Sequence, residues 1–167
     1  MRRTNLPLSA VVLAALAFFA LSGPVAGREL AIGDSLAVGL RDKCKLEGNG
    51  QIGRRPASVL QVIETLPPGQ LAGATVILSS GASNDPEHAD VALLQIAKLK
   101  LAGAHVVLLG VGDGVRNYQA VNRQLIRIAA VTGIPFVYGW HGVHPTDYPA
   151  VLAVALDSAR RLAARGR

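Results

Sequence analysis

The sequence predicts an α/β fold in which one five-stranded parallel sheet carries helices on both faces. Three observations predict it. Short apolar runs alternate along the chain with stretches of helical periodicity. Two of the runs, Thr75–Leu78 and His105–Gly110, are apolar at nearly every position, as strands buried on both faces are. Gly, Pro and small polar residues separate each run from the next helix. Repeated strand–helix units of this kind build a parallel sheet, because each return crossing needs a helix.

Taken in order, Glu29 to Gly33 is the first strand, and a short helix follows from Ser35 to about Arg41. A weak second strand is expected near Gly50 to Gly53. Val59, Leu60, Val62, Ile63 and Leu66 recur at helical spacing, which predicts a helix from about Pro56 to Leu66, stopped by Pro67-Pro68-Gly69. Thr75–Leu78 is the third strand. Pro86 is placed to open the next helix, which extends to about Ala102 with Val91, Leu93, Leu94, Ile96 and Leu99 as its apolar positions. Gly103 is its stop. His105–Gly110 is the fourth strand. Asn117 to Thr132 is helical, with Val121, Leu125, Ile128 and Ala129 on one stripe and Gly133 at its end. Pro135–Tyr138 is the last strand. Tyr148 to about Ala164 is the last helix, with Arg160, Arg161 and Arg165 near its end, where the helix dipole favours cations. Five strands in this rhythm fit a flavodoxin-like, three-layer α/β/α order, whose chemistry sits beyond the carboxyl ends of the strands.

Composition narrows the function. At 167 residues one domain is the natural count, and a 50% hydrophobic content excludes a disordered chain. The formal charge of +6 permits anionic partners without demanding nucleic acid, and 4% aromatic residues argue against a base-stacking surface. One cysteine, Cys44, excludes an internal disulfide and reads as a small buried apolar side chain. Arg2 and Arg3 precede an apolar run from Ala10 to Leu21, broken by Ser22-Gly23-Pro24 and followed by Val25-Ala26-Gly27. This is the three-part pattern of a secretory signal peptide, with cleavage after Ala26. The run is short for a spanning helix, so a retained anchor is the lesser reading. The expected organisation is therefore a leader, 1–26, and one exported domain, 27–167, in the periplasm or outside the cell, with no stable membrane insertion.

The strand ends carry the chemistry. The first strand delivers Gly33-Asp34-Ser35-Leu36, which puts a hydroxyl at a strand-to-helix turn where a helix N-terminus favours developing negative charge. The second delivers Gly53, the third Gly81-Ala82-Ser83-Asn84-Asp85, and the fifth His141-Gly142-Val143-His144-Pro145. Ser, Gly, Asn and His from distant segments thus meet at one edge, as acyl transfer requires. His144 is the candidate base for Ser35, and the N–H groups of Ser35 and Gly53 with the Asn84 amide are the candidate oxyanion hole.

These residues resemble the SGNH/GDSL hydrolases across essentially the whole of 27–167. Ile32-Gly33-Asp34-Ser35-Leu36 resembles the nucleophile block, and Gly53 ahead of Arg54-Arg55-Pro56 resembles the block that lends a backbone donor. Gly81-Ala82-Ser83-Asn84-Asp85 has the G-x-x-N-D form of the third block, and Gly142-Val143-His144-Pro145 resembles the last. The resemblance implies an esterase-type hydrolase working through an acyl-enzyme, without cofactor or metal. One departure stands out. Where the family has Asp three residues before the His, this chain has His141, and an imidazole does not stabilise an imidazolium as a carboxylate does. Asp113, after the fourth strand, is the first candidate for a displaced acid. Asp147 is near in sequence but suited to cap the last helix, and a backbone carbonyl near Trp140 or His141 would give a Ser–His dyad. A weakened enzyme is the remaining reading.

Other residues read more plainly. Asp34 is expected to be a structural hydrogen-bonding residue beneath Ser35. His141, His144 and His88 include an H-x-x-H pair, but no carboxylate or Cys completes a recognised metal spacing. His105 reads as structural. Arg41, Lys43, Lys45, Arg54 and Arg55 form a basic stretch, read either as surface charge or as an attraction for an anionic substrate. Gly110–Gly114 lacks the residues of a phosphate-binding loop and reads as a flexible rim loop. The expected partner is a small-molecule, glycan or lipid ester. Short acyl esters are preferred, because few aromatics and short loops leave little room for a lid. The alternatives are a lysophospholipase or thioesterase on longer chains, and a glycan-binding protein on the same fold.

Overall fold

The computed structural model describes residues 27–165. The leader expected at 1–26 lies outside the described residues. Five strands form one sheet: β1 (Glu29–Gly33), β2 (Glu47–Gly50), β3 (Thr75–Ser79), β4 (His105–Leu109) and β5 (Phe136–Val137). All neighbouring pairs are parallel, in the order β2-β1-β3-β4-β5. The helices are α1 (Ser35–Cys44), α2 (Pro56–Thr65), the single turn α3 (Pro68–Leu71), α4 (Val91–Leu101), α5 (Tyr118–Thr132) and α6 (Tyr148–Arg165). This is the doubly wound α/β/α architecture that the alternation predicts. Among the described residues no helix is long and apolar enough to cross a membrane.

Alternate residues of the central strands feed two cores. Leu30, Ile32, Val76, Leu78, Val106 and Leu108 face the layer of α2, α4 and α5. Ala31, Ile77, Val107 and Leu109 face α1 and α6. The near-continuous burial of β3 and β4 follows from their apolar runs. The registers bring Gly33, Gly50, Ser79, Leu109 and Val137 to the carboxyl edge together.

Three elements depart from the sequence expectation. β2 lies at Glu47–Gly50 and overlaps the expected Gly50–Gly53 only at Gly50; Gln51 leaves the strand and Ile52 and Gly53 form the turn after it. The segment Glu-Gly-Asn-Gly has no β-propensity of its own; pairing with β1 makes it a strand. Pro86 opens only a 3-10 turn, Pro86–His88, and α4 begins at Val91. The core face of α4 is Ala92, Gln95, Ile96 and Leu99, whereas Leu93 and Leu94 stay exposed. Gln95 is fully buried because its Nε2 donates to the carbonyls of Pro56 (2.9 Å) and Ser80 (3.1 Å). Those bonds offset part of the cost of burying the amide, whose Oε1 has no hydrogen-bond partner among the described residues, and they put Gln95 on the core face beside Ile96 and Leu99. Finally, α1 extends to Cys44 and is closed by Lys45 in a left-handed conformation.

Candidate active site

Ser35 is the first residue of α1, directly beyond the carboxyl end of β1, and half-buried. The turn that presents it is tight. Gly33 has φ +144, and a Cβ there would come within 1.9 Å of the Ser79 carbonyl oxygen. Only glycine lets β1 end this close to β3. Asp34 is buried and caps α1: its carboxylate accepts from Leu36 N–H (3.0 Å) and from Ser83 Oγ–H (2.8 Å). Its own N–H donates to Ser79 Oγ (3.0 Å). Asp34 is thus a frame beneath Ser35, with each carboxylate oxygen accepting a bond from within the protein.

The network continues into the oxyanion candidates. Asn84 Nδ2 donates to the Arg54 carbonyl (3.3 Å) and to Ser83 Oγ (3.3 Å), and its side chain is exposed at the edge. Gly81, at φ +81, packs so closely on Arg54–Pro56 that a Cβ would meet the Arg55 carbonyl carbon at 2.7 Å. Gly53 sits in the turn after β2 with φ +74 and open space around it. Three of the four segments, carrying Ser35, Gly53 and Asn84, are therefore locked to one another.

Arg54 does most of the locking, and the sequence gives no sign of it. Its guanidinium is buried; Nη1 donates to Gly33 O (3.1 Å) and Asn49 O (3.0 Å), and Nη2 to Asn49 Oδ1 (2.9 Å) and Gln51 Oε1 (3.1 Å). Burial lowers its pKa and the nearby Asp34 charge opposes that. The basic stretch expected around the first two loops is consequently divided. Arg41, Lys43 and Lys45 lie at the far end of α1 from Ser35, Arg54 is internal framework, and only Arg55 is exposed beside the site.

His144 arrives from the other side, through α6. Its Nδ1 lies 2.8 Å from the hydroxyl of Tyr148. Tyr148 is buried at the start of α6, with its ring over Gly39 of α1, one turn after Ser35. Burial first, and then the charges of Asp34 and Cys44, raise the Tyr148 pKa. Among the described residues no hydrogen bond joins His144 to Ser35, and no carboxylate bonds to the His144 ring.

The carboxylate expected to substitute for the missing acid, Asp113, bonds to His141 and Gly142. Asp113 Oδ2 lies 2.8 Å from His141 Nδ1, and Asp113 Oδ1 accepts the Gly142 N–H at 2.5 Å. The bond to His141 is the chief cause of its lowered pKa, with the Gly142 bond second. Asp147 accepts from Ala150 N–H (2.9 Å), as a cap of α6. His88 pairs with Asp85 (2.8 Å), so each imidazole near the edge has its own separate partner. Among the described residues no three His, Cys, Asp or Glu side chains are grouped to hold a metal. The expected flexible loop Gly110–Gly114 is instead pinned. Asn122 bonds the N–H and carbonyl of Val111 at 2.8 Å each, and Gly112 and Gly114 lie against Gly142 with no room for a Cβ. Cys44 is half-buried, and burial, then Asp147, raises its thiol pKa.

No protein-family profile matches the sequence, and no curated protein sequence matches it either. Solved structures do match. A GDSL-like lipase from Bacteroides thetaiotaomicron superposes with a TM-score of 0.59 at 20% identity, over 91% of this chain and 97% of that one. An acylhydrolase candidate from Bacteroides fragilis gives 0.62 at 15% identity, over 98% and 100%. The C-terminal catalytic domain of a Streptococcus pneumoniae peptidoglycan O-acetyltransferase, solved with a methylsulfonyl adduct, gives 0.57 at 17% identity, over 81% and 95%. The chain has the three-layer α/β/α fold of these GDSL-type lipases and acyl-transfer proteins.

Proposed function

We propose that the chain is a serine esterase that cleaves small carboxylic esters, short acyl groups above all, through an acyl-enzyme. The observation that carries this reading is the hydrogen-bonded frame Asp34–Ser83–Asn84–Arg54, which sets the Ser35, Gly53 and Asn84 segments side by side at the helix N-terminus. In this reading Ser35 Oγ attacks the ester carbonyl carbon as its proton passes to His144 Nε2. The N–H groups of Ser35 and Gly53 and the Asn84 amide hold the oxyanion. Collapse breaks the bond to the alkoxide, which takes the proton from His144, and water repeats the cycle to release the acid. Asp113 serves indirectly, by holding the His141–Gly142 turn that precedes His144. The apolar leader supports export of residues 27–167, and the short loops support a small acyl group.

The test is hydrolysis of short p-nitrophenyl esters by the purified protein, with mass analysis after an organophosphonate. The expected results are a single adduct on Ser35 and a loss of about 10³-fold or more in kcat for Ser35→Ala. Turnover that survives Ser35→Ala overturns the reading. A folded protein that neither turns over nor takes the adduct is instead a binding protein on this fold. One observation favours that second reading: among the described residues no carboxylate bonds to the His144 ring.

A further inference from the structure

We propose that Tyr148 is the positioning residue for His144. Its phenol oxygen accepts the Nδ1–H of the imidazole and so turns the Nε2 lone pair toward Ser35. The proposal rests on the esterase reading above and deepens it. A general base that works through Nε2 must carry its proton on Nδ1, and the partner of Nδ1 decides which nitrogen is protonated. In this chain that partner is neither Asp113, which is held by His141 and Gly142, nor Asp147, which caps α6. It is the Tyr148 hydroxyl, at 2.8 Å.

The hydroxyl is well fixed. Tyr148 is buried, and its ring lies so close over Gly39 that a Cβ there would fall 2.0 Å from Cζ. Gly39 follows Ser35 by about one turn of α1. The Tyr148–Gly39 contact therefore sets the distance between the His144 loop and the nucleophile's helix. Burial and the charges of Asp34 and Cys44 keep the phenol protonated. A neutral phenol orients the ring and selects the tautomer as a carboxylate does, but it brings no negative charge to the imidazolium. The arrangement is a Ser–His pair with a neutral orienting group, slower than a carboxylate triad.

The tautomer of His144 is read directly from nitrogen–proton correlation spectra of the 15N-labelled protein, with no substrate present. The expected result is an Nδ1–H tautomer for neutral His144, shifted toward Nε2–H in Tyr148→Phe. Ester kinetics of the same variant are expected to show kcat reduced about 10–100-fold, the range found when a partner that orients a metal-bound histidine is removed, with KM nearly unchanged. Tyr148→Phe keeps the ring over Gly39, so the fold is retained. Gly39→Ala, which pushes the ring away but keeps the hydroxyl, is expected to reproduce both effects. An Nε2–H tautomer in the native protein, or one unmoved by Tyr148→Phe, overturns the proposal. Failure of the esterase reading shows separately, as turnover that is absent or independent of Ser35.

Discussion

Four hydrogen bonds leave the Arg54 guanidinium, and they tie together the carboxyl ends of β1 and β2 and the segment after β2: Gly33 O, Asn49 O, Asn49 Oδ1 and Gln51 Oε1. A planar fork reaches those acceptors together; a lysine ammonium offers three donors from one point and cannot. Arg54→Lys is therefore expected to leave buried acceptors unmet, at a cost of about 1–3 kcal/mol, and to lower kcat by loosening the Gly53 turn. Urea unfolding and ester kinetics check both, and unchanged values for both would show the fork to be dispensable. In sequence Arg54 is indistinguishable from Arg55, because two of its acceptors are main-chain carbonyls brought near only by strand pairing. Ser35, Asn84 and His144 were legible because each sits within a short patterned block directly after a strand. Tyr148 was not, because the contact of its hydroxyl with His144 depends on a ring seated on Gly39, more than a hundred residues earlier in the chain.

Strands β1, β3 and β4 and the stripe of α5 were readable because their own side chains fill the core. The features misread from sequence are those set by partners: the place of β2 by the edge of β1, the α4 face by two carbonyl acceptors of Gln95, and the rigidity of the Gly110–Gly114 loop by Asn122 and by the Asp113–Gly142 bond. That loop makes a pH prediction. Hydrogen bonds from His141 and then Gly142 place the folded Asp113 pKa below its ordinary 3.8. A carboxyl with a depressed folded pKa gives stability that is present above the unfolded value and lost as pH falls through the folded one. The clasp between Asp113 and the His141–Gly142 turn should thus persist down to about pH 3.8 and release only below it. The Gly142 amide shift, followed by NMR, should report a midpoint under that value, and Asp113→Asn should remove the step. A midpoint at or above the ordinary value would mean that the carboxylate is not engaged in solution.

The two faces of the sheet are unequal, and the site straddles them. The α2–α4–α5 face packs a long series of fully buried side chains, Leu78, Ile96, Leu99, Leu108 and Leu125 among them. On the other face α6 runs 18 residues from Tyr148 to Arg165, yet only Tyr148 and Ala155 are buried in it. The helix whose Tyr148 bonds His144 is accordingly held by less apolar contact than the frame that holds Ser35. Regions with few buried contacts open locally at a lower free energy than the core. Amides of α6 should therefore exchange through a local opening, while those of β3 and β4 exchange only on global unfolding. Leu125→Ala separates the two. Removal of a fully buried leucine is expected to cost about 2–5 kcal/mol of global stability. Exchange of the β3 and β4 amides should speed up by the factor that this loss implies. The α6 amides should keep their rates until global stability falls to the level of their own opening. Native-state hydrogen exchange on both proteins measures this directly. If the α6 amides in the native protein are as protected as those of β4, and accelerate equally in Leu125→Ala, then α6 opens only with the whole molecule and His144 is held as firmly as Ser35.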